Sequence, residues 1–286
     1  MNKRRRAADP WKWFFAYNGS YSVTYDVHIE LMVRSAAART SLDPHLIYFG
    51  ALDNPVLPLV ERYGVKVIHH EPSILPDLER IKAKFPDYPI EVATGAYLRI
   101  DAPGICRELG YSDEFVLYTD CDVVFQHDIP PASAHDYLRP DVFSCAPQRV
   151  QDDWANINTG VMIMNVDSLL QAYPSFRRFI TEGDTLHDEL YKHGPFDQKA
   201  YQVHYHSRWD HLPVEYNWKP YWGFNEDALV VHFHGPKIPE VRSLMEGRDS
   251  GMSYNTRFFY GTDPVAYARY LARFERFLSS PQGAGG

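Results

Sequence analysis

Cysteine is scarce in this 286-residue chain, which contains three: Cys106, Cys121 and Cys145. An odd number of cysteines without Cys-x-x-Cys spacing predicts free thiols, so a reducing cytoplasm is the expected location. No apolar run reaches the length of a membrane-spanning helix. The basic segment Lys3–Arg6 lacks the apolar stretch that follows such a segment in a secretory signal. Residues 1–11 are expected to form a disordered basic leader.

The chain also lacks an excess of positively charged residues. The chain has 29 Lys and Arg against 37 Asp and Glu, a formal net charge of −8, which argues against a nucleic-acid partner. There are no internal repeats, and no linker divides residues 1–240, so one large α/β domain with a full core is expected. Aromatic residues make up 15% of the chain. This share suits a saccharide-binding cleft, although core packing explains most aromatic residues in any protein.

Two acidic residues interrupt the most informative apolar stretch. Residues 115–125 read Phe-Val-Leu-Tyr-Thr-Asp-Cys-Asp-Val-Val-Phe, which predicts a buried strand. Desolvating Asp120 and Asp122 without partners is costly, but the cost falls if the strand surfaces there and both acids share a divalent cation. Hard oxygen ligands suit Mg²⁺ or Mn²⁺, which usually also bind substrate phosphates. The stretch predicts a metal–diphosphate site, and a strand end with two solvated acids is the alternative.

A second apolar strand, near residue 230, ends in four residues that favour the same chemistry: His232, His234, Gly235 and Lys237. Imidazole is a natural third ligand beside two carboxylates. Glycine lets the backbone approach a phosphate closely, and lysine offers it a point charge. Two strands that end in such residues predict a nucleotide-diphosphate site at the carboxyl edge of a sheet.

The order of predicted elements indicates the fold class. Strands and helices alternate through residue 125, which predicts a mostly parallel sheet with helices on both faces. Besides residues 115–125, the predicted strands are Lys12–Tyr17, Leu46–Phe49, Val65–His69, Val142–Ala146 and Thr159–Asn165. The predicted helices are Val27–Ala38, Pro55–Tyr63, Leu75–Phe85, Ala96–Glu108 (broken near Pro103) and one starting at Pro174. The segment from His193 to Gly223 is expected to be rich in loops.

The C-terminal segment predicts an amphipathic helix over residues 263–278, with Asp263 as its cap and Pro264 at the first position. Aromatic and leucine side chains fall on one face, and arginines fall on another. Such a helix either packs on the domain with a solvated basic face, or lies on an anionic membrane near a lipid-linked acceptor.

Seven short segments resemble, in the same order, those of family 8 glycosyltransferases. This group has the GT-A fold and includes glycogenin and bacterial lipopolysaccharide galactosyl- and glucosyltransferases. The segments span about residues 12–240 and are Phe14–Tyr21, Thr94–Arg99, Leu117–Val123, Ile157–Asn165, Phe196–Gln198, Glu215–Asn217 and Val231–Lys237.

The resemblance implies an α/β protein with a single Rossmann-like GT-A domain over residues 12–240, whose mostly parallel central sheet is flanked by helices. Residues 241–286 are then a C-terminal helical extension. The implied activity is metal-dependent, retaining transfer of a hexosyl residue from a UDP-sugar to a saccharide or lipid-linked acceptor. A cytoplasmic enzyme is expected, with peripheral contact at the inner membrane through its basic-aromatic termini as a further expectation.

The resemblance also assigns roles to single residues. The ligands of Mn²⁺ or Mg²⁺ would be Asp120, Asp122 and His232, with His234 as a rival ligand. The residues that would bind the nucleotide-sugar donor are Ala16, Asn18, Tyr21, Arg99, Asp120, Cys121, Asn158, Gly235 and Lys237. The catalytic pair would be Asp197 and Gln198.

Two departures and several alternatives accompany these assignments. Asn18 stands where the family usually carries an acid that binds uracil, and Gly235 is one residue closer to Lys237 than usual. Asp197 is alternatively a plain helix cap. Retention proceeds either through transient attack by Asp197 or Gln198, or, as we favour, through acceptor attack on the leaving-group face. A nucleotidyltransferase and a non-catalytic nucleotide-sugar-binding protein are the rival functions.

Overall fold

The computed structural model describes residues 10–19, 23–194 and 196–279. The strands are β1 (Lys12–Tyr17), β2 (Asp43–Tyr48), β3 (Lys66–His69), β4 (Phe115–Thr119), β5 (Val123–Phe125), β6 (Phe143–Pro147), β7 (Ile157–Asn165), β8 (Asp210–His211) and β9 (Val230–His232). The helices of the first half are α1 (Val23–Arg39), α2 (Val56–Glu61), α3 (Leu75–Lys84), α4 (Ile90–Tyr97) and α5 (Ala102–Glu108). Those of the second half are α6 (Val166–Thr181), α7 (Thr185–Asp188), α8 (Phe196–Tyr205), α9 (Ile238–Met245), α10 (Tyr254–Thr262) and α11 (Pro264–Ser279). The basic leader predicted over residues 1–11 lies mostly outside the described residues.

Seven strands form the central sheet in the order β3-β2-β1-β4-β7-β6-β8. Strands β3, β2, β1 and β4 pair in parallel, and β6 and β8 do so at the other edge. Strand β7 runs antiparallel to both of its neighbours, β4 and β6. The predicted mostly parallel sheet is therefore confirmed.

Side chains on both faces of the sheet are buried, as expected when helices cover both faces. Along β1, Phe14 packs into one apolar cluster, whereas Trp13 and Phe15 pack into the cluster on the opposite face. Along β4, Tyr118 and Leu117 divide in the same way. This alternation follows from the two-residue period of a strand.

The stretch 115–125 is not one continuous strand, contrary to the prediction. Strand β4 ends at Thr119, the chain turns through residues 120–122, and β5 leaves the central sheet to pair antiparallel with β9. In this pairing Val123 lies opposite His232. Periodicity reported the burial of both apolar runs correctly, but it carries no information about which strand each run pairs with.

The predicted helices differ from the observed ones most clearly near Pro103, near Pro174 and in the segment 193–223. The break expected near Pro103 lies earlier, in a 3₁₀ turn over residues 98–101, and Pro103 sits in the first turn of α5, where its missing N–H costs nothing. Helix α6 begins at Val166, and Pro174 lies inside it. Helix α8 occupies part of the segment expected to be rich in loops. Packing of α6 and α8 against the sheet outweighs these local signals.

The C-terminal helix α11 packs on the domain, which is the first of the two predicted arrangements. Asp263 caps it as expected, because its Oδ1 accepts a hydrogen bond of 2.9 Å from the Ala266 backbone N–H. Its apolar residues Tyr267, Tyr270 and Phe274 are buried in the cluster that also covers β5 and β9. Because this cluster occupies the apolar face of α11, the face is not available to a lipid bilayer. Among the described helices, none is both long and apolar enough to cross a membrane.

Candidate active site

Three potential metal ligands meet where β4 ends and β9 ends. Ligand atoms of Asp120, Asp122 and His232 all lie within 4.8 Å of one another. The His232 Nε2 atom is 3.1 Å from Asp122 Oδ1 and 3.9 Å from Asp120 Oδ2. The three residues predicted to share a cation are therefore brought together, by the turn after β4 and by the antiparallel β5–β9 pair.

The orientation of His232 favours metal ligation. Its Nδ1 lies 2.9 Å from Asn217 Oδ1, and the Asn217 Nδ2 donates to Asn158 Oδ1 at 2.8 Å. This network assigns the proton of His232 to Nδ1, so Nε2 presents a lone pair. That lone pair faces Asp122 Oδ1, a buried oxygen with no hydrogen-bond donor among the described residues. An imidazole nitrogen and a carboxylate oxygen that face each other at 3.1 Å suit two ligands of one cation, so the residues present fit a divalent metal ion.

Lys237 reaches this cluster despite its shortened spacing from Gly235. Its Nζ forms an ion pair with Asp122 Oδ2 and donates to the Phe233 carbonyl oxygen at 2.9 Å. Burial acts to raise the pKa of Asp122, but the Lys237 ammonium holds it well below its usual range. Asp122 therefore stays ionised, as a metal ligand must be.

Two glycines are required by the close packing of the site. A Cβ on Gly160 would lie 2.7 Å from His232 Nδ1 and 2.9 Å from Asn158 Oδ1, both fixed by the hydrogen-bond network. Gly235 has a φ of +107°, and a Cβ there would also lie 2.9 Å from the Phe259 ring. Because Gly160 has no side chain, the His232 imidazole has room beside it, and Gly235 allows the turn that follows β9.

A second ionic group adjoins the first. Arg99, in the 3₁₀ turn before α5, is buried and pairs with Asp197 Oδ2 at 2.7 Å and with Asp120 Oδ1. It also donates to Thr159 Oγ1. Burial raises the pKa of Asp197 to about 6, although the Arg99 guanidinium opposes the shift. Arg99 therefore links the predicted metal ligand Asp120 to the predicted catalytic residue Asp197.

A hydrogen-bond chain connects the metal cluster to Gln198. From His232 it runs through Asn217 to Asn158, whose Nδ2 donates to Gln198 Oε1 at 3.0 Å. The Thr159 backbone N–H donates to the same oxygen at 3.3 Å, which leaves the buried Nε2 of Gln198 without a partner among the described residues. A buried amide N–H₂ without a partner is suited to a substrate oxygen.

A polar pocket of about 180 Å³ opens beside these groups at the carboxyl ends of β1 and β4. Ala16, Asn18, Arg99 and Cys121 line it together with the two acids of the Asp-x-Asp motif. The Asn18 Nδ2 donates to Thr94 Oγ1 at 2.9 Å and to the Glu91 carbonyl oxygen. Five of the predicted donor-binding residues, Ala16, Asn18, Arg99, Asp120 and Cys121, thus share one pocket. Asn158, Gly235 and Lys237 are not among the residues that line it, and Tyr21 lies outside the described residues.

His234, the rival metal ligand, has a different environment. Its Nδ1 lies 3.1 Å from the Tyr221 hydroxyl, and its ring centroid is 5.6 Å from that of His232. Burial lowers the pKa of His234 well below its usual range, so the ring is neutral. His234 is not among the three clustered ligands, and it connects the metal cluster to an aromatic surface beyond Tyr221.

Sequence reasoning assigned no role to Asn217, Gly160 or Thr159, although all three lie in the segments that carry the family resemblance. Asn217 forms a hydrogen bond with His232, and Gly160 leaves room for the His232 ring. Thr159 accepts a hydrogen bond from Arg99. The glycine offered a signal, because Gly inside a predicted strand marks a close approach of other groups to the backbone.

Replacing Gly160 with alanine is expected to weaken Mn²⁺ binding by about 10- to 100-fold, the usual effect of disturbing the support of a metal ligand. The added methyl group must displace the His232 ring or Asn158. Calorimetric titration with Mn²⁺ measures the effect. Gly104→Ala is the control, since a Cβ there meets nothing within 4 Å. Equal Mn²⁺ affinity of the two variants would show that His232 is not a ligand.

The pKa of Asp197 predicts a pH-dependent stability. Because the folded-state pKa is about 6 and the ordinary value is 3.8, the ionised form destabilises the native state above pH 6, and this cost is absent below the ordinary value. As pH rises through this window, the wild type should lose on the order of 3 kcal/mol relative to Asp197→Asn. Urea unfolding across the window measures the difference. The exposed substitution Asp87→Asn is the control for the change of residue type, and a pH-independent difference for Asp197→Asn would contradict the prediction.

Comparison with known proteins places this site in a known fold. No protein-family model and no curated protein matches the sequence. The galactosyltransferase LgtC, solved with donor and acceptor sugar analogues, matches with a TM-score of 0.61 at 14% identity, over 96% of this chain and 97% of that one. Mouse xyloside xylosyltransferase 1 matches with a TM-score of 0.54 at 12% identity, over 79% and 98% of the two chains. The glycosyltransferase GlyE of Streptococcus pneumoniae TIGR4 gives 0.54 at 12% identity, over 96% and 66%. The predicted fold class is confirmed: the protein has the GT-A fold of these glycosyltransferases.

Proposed function

We propose that the protein is a metal-dependent glycosyltransferase that moves a hexosyl residue from a UDP-sugar to a saccharide acceptor. The observation that carries the proposal is the meeting of Asp120, Asp122 and His232 within 4.8 Å at the sheet edge, next to the cationic side chains of Arg99 and Lys237. The GT-A fold supports the same conclusion. The LgtC structure that shares this fold was solved with donor and acceptor sugar analogues.

The three clustered residues would hold Mn²⁺ or Mg²⁺. When bound, such an ion neutralises negative charge on a departing diphosphate. Asp122 and His232 are the better supported ligands. Asp122 Oδ1 and His232 Nε2 face each other, and a cation bound to both atoms would satisfy them. Asp120 is more exposed and is shared with Arg99, so it joins the metal cluster to the donor pocket.

The cations of the site suit the rest of the donor. Lys237 would contact the diphosphate, with Gly235 letting the backbone approach it. Arg99 would contact the donor sugar and phosphate from the other side. Asn18 would bind the uracil, and its Nδ2 donates to Thr94 and to the Glu91 carbonyl oxygen. Tyr21 keeps its assignment to stacking on the base.

Asn158, Asp197 and Gln198 would grip the hydroxyl groups of the donor sugar, and we propose that the transfer retains the anomeric configuration. The Asp197 carboxylate is held by Arg99 at 2.7 Å, which disfavours its swing onto an anomeric carbon. We therefore favour attack by the acceptor on the leaving-group face, where the departing phosphate accepts the acceptor proton.

Location in the cytoplasm remains part of the proposal, and the three buried free thiols suit it. Contact with the inner membrane would have to use charge alone, because the apolar face of α11 is buried. Arg269 and Arg273, on the remaining face, would then attract anionic lipids in a salt-sensitive way.

Removal of the metal is expected to abolish turnover. UDP release from a panel of UDP-sugars should require Mn²⁺ or Mg²⁺, stop with EDTA, and fall at least about 100-fold in Asp122→Asn, since a neutral amide is a poor ligand. Asp87→Asn is the surface control, and circular dichroism checks the fold of both variants. Full activity of Asp122→Asn would refute the metal assignment. Release of UMP would indicate a nucleotidyltransferase, and binding without turnover would indicate a nucleotide-sugar-binding protein.

The stereochemistry of transfer provides a separate test. With an α-linked UDP-sugar, the first-formed product should carry an α linkage, because departure and attack take place on the same face. Proton NMR of the early reaction mixture distinguishes the anomers before they equilibrate. A β-linked product would require a general base and would overturn the proposed mechanism without affecting the metal assignment.

A further inference from the structure

An aromatic groove lies beside the candidate active site. This cavity of about 740 Å³ is lined by Arg149, Gln151, Asp152, Trp222, Phe258 and Phe259, among others. It lies between the loop after β6, the 3₁₀ turn over residues 220–222 and helix α10. We refer to it below as the aromatic groove.

The inner wall of the aromatic groove is shared with the active site. Tyr221 lies in this wall, and its hydroxyl contacts His234, whose ring is 5.6 Å from the metal ligand His232. Phe259 stacks on Tyr221 with a centroid distance of 4.7 Å and closes over Gly235. A ligand in the groove would therefore have one end next to the residues proposed to bind the diphosphate.

The aromatic surface continues outward from this wall. Phe258 lies 5.6 Å from Phe259, and Tyr254 stacks on Phe258 at 6.0 Å with an interplanar angle of 20°. These outer rings are 50% and 72% exposed, so they contribute little to the core. They are four residues apart on α10, whose start is fixed by a Ser253 cap. A rigid helix thus holds two solvated rings in line with the groove.

The chemistry of this surface fits a neutral saccharide. Pyranose rings have apolar C–H faces that pack on aromatic rings, and hydroxyl groups at their edges that need polar partners. Gln151 and the oppositely charged pair Arg149 and Asp152 are exposed at the rim and supply such partners. Because Arg149 and Asp152 carry opposite charges, the lining of the groove has no net charge, which suits a neutral ligand.

We infer that the aromatic groove and its outer rings form an extended acceptor site for a neutral oligosaccharide longer than a disaccharide. The inference rests on the proposed function, because the sugar unit that receives the hexosyl group must lie next to the donor site. The following unit packs on Trp222 and Phe259, and more distant units pack on Phe258 and Tyr254.

The test compares acceptor lengths with and without the outer rings. Transfer and calorimetric binding are measured in the presence of UDP and Mn²⁺ with maltose, cellobiose and galactobiose series, and on an array of neutral glycans, from disaccharides upward. The native protein should prefer the longer members of at least one series. The double variant Tyr254→Ala/Phe258→Ala should lose about tenfold or more in kcat/KM for those members, because two ring contacts are lost. Its activity with the disaccharide and its UDP-sugar hydrolysis should not change.

Val265→Ala is the matched control, because Val265 is 69% exposed and lies outside the groove. Melting temperatures verify that all variants fold. Equal use of short and long acceptors, or no effect of the double variant, would overturn the inference. If the double variant instead turns a dimer into a monomer by light scattering, with acceptor preference intact, the rings form an interface between copies of the chain. If the proposed function itself is wrong, the native protein will show no UDP-sugar hydrolysis, which distinguishes that result from failure of this inference.

Discussion

The rest of the site depends on keeping the Asp122 carboxylate ionised while it is buried. An uncompensated charge in this position would be several kcal/mol unfavourable, so partners must be held firmly in place. The chain supplies the Lys237 ammonium from the turn after β9. The pairing of β5 with β9 brings this lysine and His232 to the acid.

Residues of two helices, α9 and α1, hold the turn that carries Lys237 in place. The backbone N–H of Lys237 donates to Glu240 Oε2 at 2.7 Å, which fixes the start of α9. The next residue, Ile238, donates its N–H to His28 Nε2 at 2.6 Å. Burial lowers the pKa of His28 to about 3, so this ring remains a neutral acceptor on α1. Helices α1 and α9 are therefore parts of the site, although neither carries a predicted ligand.

The same edge of the sheet separates two binding surfaces. On one side, the polar pocket around Asn18 and Arg99 suits an anionic nucleotide. On the other side, the aromatic groove suits an uncharged saccharide. His232 and His234 lie between the two surfaces, one joined to Asn217 and the other to Tyr221. A transferase needs such an arrangement, because donor and acceptor must meet at one point while most of each molecule stays on its own side.

The sequence by itself determined the class of fold and the chemistry of the site. Alternating apolar runs predicted the parallel strands, Asp263 marked the start of α11, and the Asp-x-Asp and His-x-His-Gly segments indicated the metal cluster. These features are local, because a cap, a strand period or a ligand type is contained in a few neighbouring residues. Tertiary structure alone decided where β5 pairs and what covers the apolar face of α11. It also decided that Asn217 orients His232, that Gly160 makes room for that ring, and that burial raises the pKa of Asp197. Each of these depends on residues far apart in the chain, and a sequence pattern reports that a side chain is buried without naming its neighbour.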